Sequence, residues 1–189
     1  MNIKDYFKRL LGSIFNRENL EVVVTAVVLA LIIRTFIVQA FKIPTGSMLP
    51  TLKVGDRILV NKFIYRFKVP SRGDIIVFIS PEDKKKDFIK RLIASGGESL
   101  QIKDGNIWIG SKLLEEPETI RQIHYYNQAD TLYGEEGKII EVPKDNYFVL
   151  GDNSASSRDS RYWGFVPKKY LIGKAFLVYW PLNRIRILK

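Results

Sequence analysis

A chain of 189 residues, 46% hydrophobic and 26% charged, is long enough for one core-bearing domain and a short appendage. It has no cysteine and one histidine, His124, which excludes thiol nucleophiles, disulfides, thiolate metal sites and a histidine-rich metal centre. The net charge of +10, from 30 Lys+Arg against 20 Asp+Glu, suits an anionic partner but does not separate nucleic acid from a lipid surface.

In chain order, residues 1–19 are mixed and mildly basic, with Lys4, Lys8, Arg9 and Arg17. Residues 20–41 then read as one hydrophobic segment. As a helix it would reach about 33 Å, against a hydrocarbon core of roughly 30 Å. Arg34 and Gln39 interrupt it, and Arg34 can snorkel to an interface. The expectation is one N-terminal transmembrane helix over 20–41, a cytoplasmic segment over 1–19 and an extracytoplasmic domain over 42–189, oriented by the basic flank. A cleavable secretory signal is the alternative. The length of the preceding region and its acidic residues favour a retained span.

Beyond the apolar segment comes Ile43-Pro44-Thr45-Gly46-Ser47-Met48-Leu49-Pro50-Thr51-Leu52, where two hydroxyls flank a glycine and prolines restrict φ. Such a loop can hold a nucleophile rigidly; it can also be an ordinary linker. From residue 55 the chain reads as β. Turn residues introduce the β-branched and aromatic runs Arg57–Phe63 and Ile75–Ile79, and Asp104-Gly105 joins Ser99–Lys103 to Asn106–Ile109 as a hairpin. Residues 138–142, 146–150 and 172–180 are further strands, while 81–87 and 115–137 read as loops. The expected fold is mainly β: an antiparallel, barrel-like sheet domain behind one membrane helix. Between the first two strands, Phe63, Tyr65 and Phe67 alternate with Lys62, Arg66 and Lys68, either as a core-facing alternation or as a membrane-resting edge.

The composition confines hydrolytic chemistry to Ser, Lys, Asp, Glu, Tyr and one His. Ser47 needs a base. His124 is one candidate, although it lies in the least regular stretch. Lys90 is another. On a strand it shares a face with Phe88 and Leu92, and desolvation there lowers an amine pKa. Arg91 beside it cannot act as a base. A third polar stretch, residues 151–164, is dense in small hydroxyls and carboxylates. It suits a tight turn, a hydroxyl that orients an amine, or an Asp–Arg brace.

Four stretches taken together, residues 45–52, 55–62, Lys90-Arg91-Leu92 with Gly96-Gly97-Glu98, and residues 151–164, resemble the boxes of bacterial type I signal peptidases, in the family's order. The resemblance implies a membrane-bound serine endopeptidase with a Ser/Lys dyad, Ser47 as nucleophile and Lys90 as general base. It implies an oxyanion hole from the Ser47 N–H and the Thr45 hydroxyl, Ser157 orienting the Lys90 amine, and an Asp159–Arg161 ion pair in support. Ile43, Pro44, Met48, Leu52, Phe88 and Ile89 match positions that bind small substrate residues before the cut. The implied partners are signal peptides of secretory preproteins and membrane lipid, with no nucleic acid, metal or cofactor. Thr45 stands where many members have serine, Ser154 where arginine is common, and Gly97-Glu98 replaces Gly-Asp; each keeps the reacting groups. A self-cleaving repressor-type peptidase shares the dyad but should carry a DNA-binding helix-turn-helix. A non-enzymatic membrane-tethered β module is the other alternative.

Overall fold

The computed structural model describes residues 17–128 and 130–188, and the chain divides into two compact units between Val38 and Gln39. The expected segment 1–19 therefore falls almost entirely outside the described residues.

In the first unit, helix α1 (Arg17–Ile32) continues as a π-helical turn, Ile33–Ile37, and the backbone is extended from Val38. This corrects the expectation of a single helix over 20–41. Val38 to Lys42 become strand β1, because their backbone groups find a partner strand. No helix among the described residues is long and apolar enough to cross a membrane. Leu20, Val22, Val23, Val24, Val27, Val28, Leu29 and Leu31 of α1 are all exposed.

The second unit is mainly β. Its main sheet joins β1 (Val38–Lys42), β2 (Arg57–Asn61), β3 (Ile75–Ile79), β4 (Asp87–Ser95), β9 (Asn146–Leu150), β10 (Val166–Pro167), β11 (Leu171–Trp180) and β12 (Arg186–Ile187). The strand order is β1-β2-β11-β3-β4-β9-β10, with β12 also on β11. The β2–β11, β3–β11, β3–β4, β4–β9, β9–β10 and β11–β12 pairings are antiparallel. Since β1 and β10 are the two ends of this order, the sheet is open. Central strand β3 is β-branched or aromatic throughout, and both of its faces are covered. Ile75 and Val77 join Ile58, Val60, Ala175 and Val178 in one core cluster, while Ile76 and Phe78 join Leu92, Tyr147, Val149 and Val166 in another.

A second antiparallel sheet, in the order β7-β6-β5-β8, is built from β5 (Ser99–Lys103), β6 (Asn106–Ile109), β7 (Lys112–Leu113) and β8 (Ile140–Glu141). The β5–β6 hairpin turns at Asp104 and Gly105, both at positive φ, as a two-residue turn with right-handed strand twist requires. Leu100, Ile102 and Ile107 of this sheet pack with Ile93, Phe148 and Leu150 of the main one. Short helices α2 (Glu118–Arg121) and α3 (Ser160–Trp163) sit in the connections.

The aromatic run departs from strand alternation. Asn61 Oδ1 accepts from the N–H of Phe63 (2.9 Å) and of Ile64 (3.0 Å), closing an Asx turn that ends β2. Residues 64–66 follow as a 3₁₀ turn. Phe63 and Phe67 meet edge to face, Phe67 is largely exposed, and the Tyr65 hydroxyl donates to Asp74.

Candidate active site

The loop carrying Ser47 is closed at its base like one more rung of sheet. Ile43 N donates to Asp56 O (2.8 Å) and Gly55 N to Ile43 O (2.9 Å). The buried Asp56 carboxylate fastens that base, accepting from Lys53 N and from two nitrogens of Arg184. Within the loop, Leu52 N donates to Met48 O, and the Met48 and Leu52 side chains are wholly buried among Ile58, Val60 and Ile75. Burying two such side chains stabilises the loop by about 1.5–3 kcal/mol each. Ser47 is thus held by anchors on both sides and remains at the surface of a cleft.

Strand β4 brings Lys90 to it. Paired with Ile76 on β3 and buried, Lys90 places its Nζ 2.7 Å from Ser47 Oγ and 5.9 Å from the Phe88 ring centroid. Burial pushes the amine pKa down; Asp159 and Asp152 pull it back, Arg161 pushes it down again, and the balance lies at about 8. At pH 7 about a tenth of the amine is therefore uncharged, next to a hydroxyl whose proton it can accept.

The polar stretch after β9 closes the site. Asn153 N donates to Ser47 O (3.1 Å) and Asn153 Nδ2 to Gly46 O (3.0 Å). Gly151 must be glycine for a steric reason: a Cβ there would lie 2.1 Å from Ser157 Oγ and 2.5 Å from Ser47 O. Ser157 is thus beside Ser47. Its Oγ is buried without a hydrogen-bond partner among the described residues, so it makes no bond to Lys90 in this structure.

Asp159 and Arg161 are fully buried and paired through both oxygens at 2.8 Å. Asp159 also accepts from Gly151 N, while Arg161 donates to Tyr126 O, Ser154 O and Ser157 O. One guanidinium so gathers three backbone carbonyls, including that of Ser157.

A second buried pair was not anticipated from the sequence. Arg91 Nε and NH2 reach the Asp152 carboxylate at 2.8 and 2.6 Å, Arg91 NH1 reaches Gly73 O, and the Thr51 hydroxyl donates to Asp152. This cluster links β4, the residue after Gly151 and the far end of the Ser47 loop. An arginine inside an apolar strand was the available signal, because a buried guanidinium requires a carboxylate.

The cleft holds about 720 Å³ and is lined by Pro44, Thr45, Ser47, Phe88, Ile89 and Lys90, among others. Thr45 is exposed on it. Of the expected binding residues, Pro44, Phe88 and Ile89 line this cleft, and Ile43 lines instead a small adjoining cavity of about 40 Å³. Met48 and Leu52 line neither, since their side chains turn into the core that anchors the loop. His124 is exposed, packs on Gly105 and Tyr126 at the β5–β6 hairpin, and takes no part in the cleft.

Residues 16–180 match the family described as signal peptidase, peptidase S26. The chain belongs to that family. Similar proteins include a probable signal peptidase I-2 of Synechocystis sp., 42% identical over 174 residues that span 89% of this chain and 75% of the other. Signal peptidase I of Leptolyngbya laminosa is 42% identical over 175 residues, 89% of this chain and 81% of the other. A solved signal peptidase I from Enterococcus faecalis V583 shares 34% identity, with a TM-score of 0.46 over 57% of this chain and 97% of that one. As a member of the signal peptidase family the chain is a hydrolase that cuts peptide bonds.

Proposed function

We propose that this enzyme removes N-terminal signal peptides from exported preproteins, with Ser47 as nucleophile and Lys90 as general base. The observation that carries the reading is the 2.7 Å approach of a buried amine, with its pKa lowered to about 8, to a serine hydroxyl at the edge of a cleft. Lys90 takes the Ser47 proton as Oγ attacks the scissile carbonyl. The Ser47 N–H and the Thr45 hydroxyl receive the developing oxyanion. The resulting ammonium gives its proton to the leaving amine, and an ester joins the signal peptide to Ser47. Water, deprotonated by Lys90, then hydrolyses the ester. The Asp159–Arg161 pair holds the loop of Ser157, whose buried hydroxyl, unpartnered among the described residues, turns to orient the amine once substrate is bound. Ile89, Phe88 and Pro44 receive the small side chains before the cut.

Membrane anchoring belongs to the same reading. Helix α1 exposes apolar side chains all round, as suits lipid and not water. With the π-helical turn it forms a continuous helical run from Arg17 to Ile37. Anchored there, the enzyme is single-pass, with its N-terminus cytoplasmic and its catalytic unit on the extracytoplasmic face.

A preprotein cleavage assay on isolated membranes tests both parts. Wild-type activity should stay in the pellet after an alkaline carbonate wash, and the Ser47→Ala protein should cleave nothing. Turnover by Ser47→Ala would overturn the mechanism, and activity released by carbonate would overturn the anchor.

A further inference from the structure

The mouth of the cleft carries an ion pair that neither the dyad nor the two buried pairs use. Arg158, on the cleft wall beside Ser156, reaches Glu82, 76 residues earlier in the chain. Its Nε and NH2 donate to the two carboxylate oxygens at 2.9 and 2.5 Å, one bond to each. That forked geometry fixes orientation as well as distance. From its other side the guanidinium sits over the Tyr162 ring, 5.1 Å from the centroid.

Glu82 belongs to the β3–β4 connection, which is itself stiff. Wholly buried Ser80 accepts through Oγ from Glu82 N and Asp83 N, and Ser80 N donates to Lys86 O. Lys86 N in turn donates to Asp83 O. This connection runs directly into Lys86, Asp87 and Phe88, which line the same cleft as Ser156 and Arg158. Among the described residues, Glu82–Arg158 is the one hydrogen-bonded tie between residues 80–86 and residues 151–159.

An exposed pair of this kind contributes little to folding. What it does is restrict how far apart two otherwise separate loops can stand. The width of a pocket is what discriminates a small side chain from a larger one, and a single methylene changes kcat/KM by about 10–200-fold.

We infer that the Glu82–Arg158 pair sets specificity by clasping the two walls at the spacing that refuses side chains larger than alanine or serine at the residue before the cut. The inference rests on the reading of the cleft as the site for small residues. The test uses full-length wild type, Glu82→Gln, Arg158→Gln and the double variant, with two preproteins that differ only in alanine or valine immediately before the cut. The readout is the ratio of the two kcat/KM values. It should fall by about three- to tenfold in each single variant, and no further in the double, because each partner acts through the other. An unchanged ratio in Glu82→Gln overturns the clasp, even if both rates drop together. A fall confined to Arg158→Gln also overturns it, making Arg158 a direct contact of the substrate. Wild-type enzyme that cleaves neither preprotein overturns the proposed function itself, and the clasp with it.

Discussion

Lys90 and Arg91 stand side by side on β4, both buried, and the protein treats their charges in opposite ways. Arg91 is met on Asp152 by a two-bond fork, with Gly73 O taking a third donor; although burial works against its charge, Asp152 keeps it charged. Lys90 faces Ser47 and the Phe88 ring, and no carboxylate forms a salt bridge with it among the described residues. Desolvation therefore wins, and its pKa falls to about 8. A buried cation is either neutralised by a partner or by losing its proton. Guanidinium can take only the first route, so the fold uses it as structure; an amine can take the second, which leaves it free to act as a base.

Exchanging the two chemistries should have the largest effect. Lys90→Arg places a permanent cation against Ser47, and cleavage should drop by about 10⁴-fold or more, while circular dichroism stays that of the wild type. Retained activity would contradict the assignment of the base. Removing the other cation's partner should break folding instead. Asp152→Ala leaves Arg91 buried and unpaired, and unfolding in urea should show a loss of about 3–5 kcal/mol. Wild-type stability in that variant would mean that the pair holds nothing. The smallest effect is on rate against pH. Because only the neutral amine accepts a proton, kcat/KM should rise by up to about tenfold per pH unit below 8 and level off above it. A profile flat between pH 6 and 9 would contradict a titrating base.

How much of this was legible in the sequence follows from the range of each interaction. Period-two neighbours singled out Lys90, and Asp104-Gly105 marked the β5–β6 hairpin, because both are local features. The Asp159–Arg161 pairing spans two residues, whereas Arg91–Asp152 spans 61 and Glu82–Arg158 spans 76, distances at which only the folded chain reveals partners. Met48 and Leu52 illustrate a different limit. Next to Ser47, an apolar side chain serves a pocket wall and a loop anchor equally well, and only depth separates the two roles. The end of α1 was misplaced because hydrophobicity extends through Val38 and Ala40, where strand pairing takes the backbone. The end of β2 turned on one side chain, Asn61, capping two N–H groups.

The central claim is the protonation state of one amine in the intact protein. Carbon-13 NMR of ε-labelled lysines, with the Lys90 signal assigned by its absence from Lys90→Arg, reads that state as pH is raised. A midpoint near 8 for Lys90, below those of the other lysines, is what its burial beside Ser47 requires. A midpoint near 10.5, the ordinary lysine value, would contradict it.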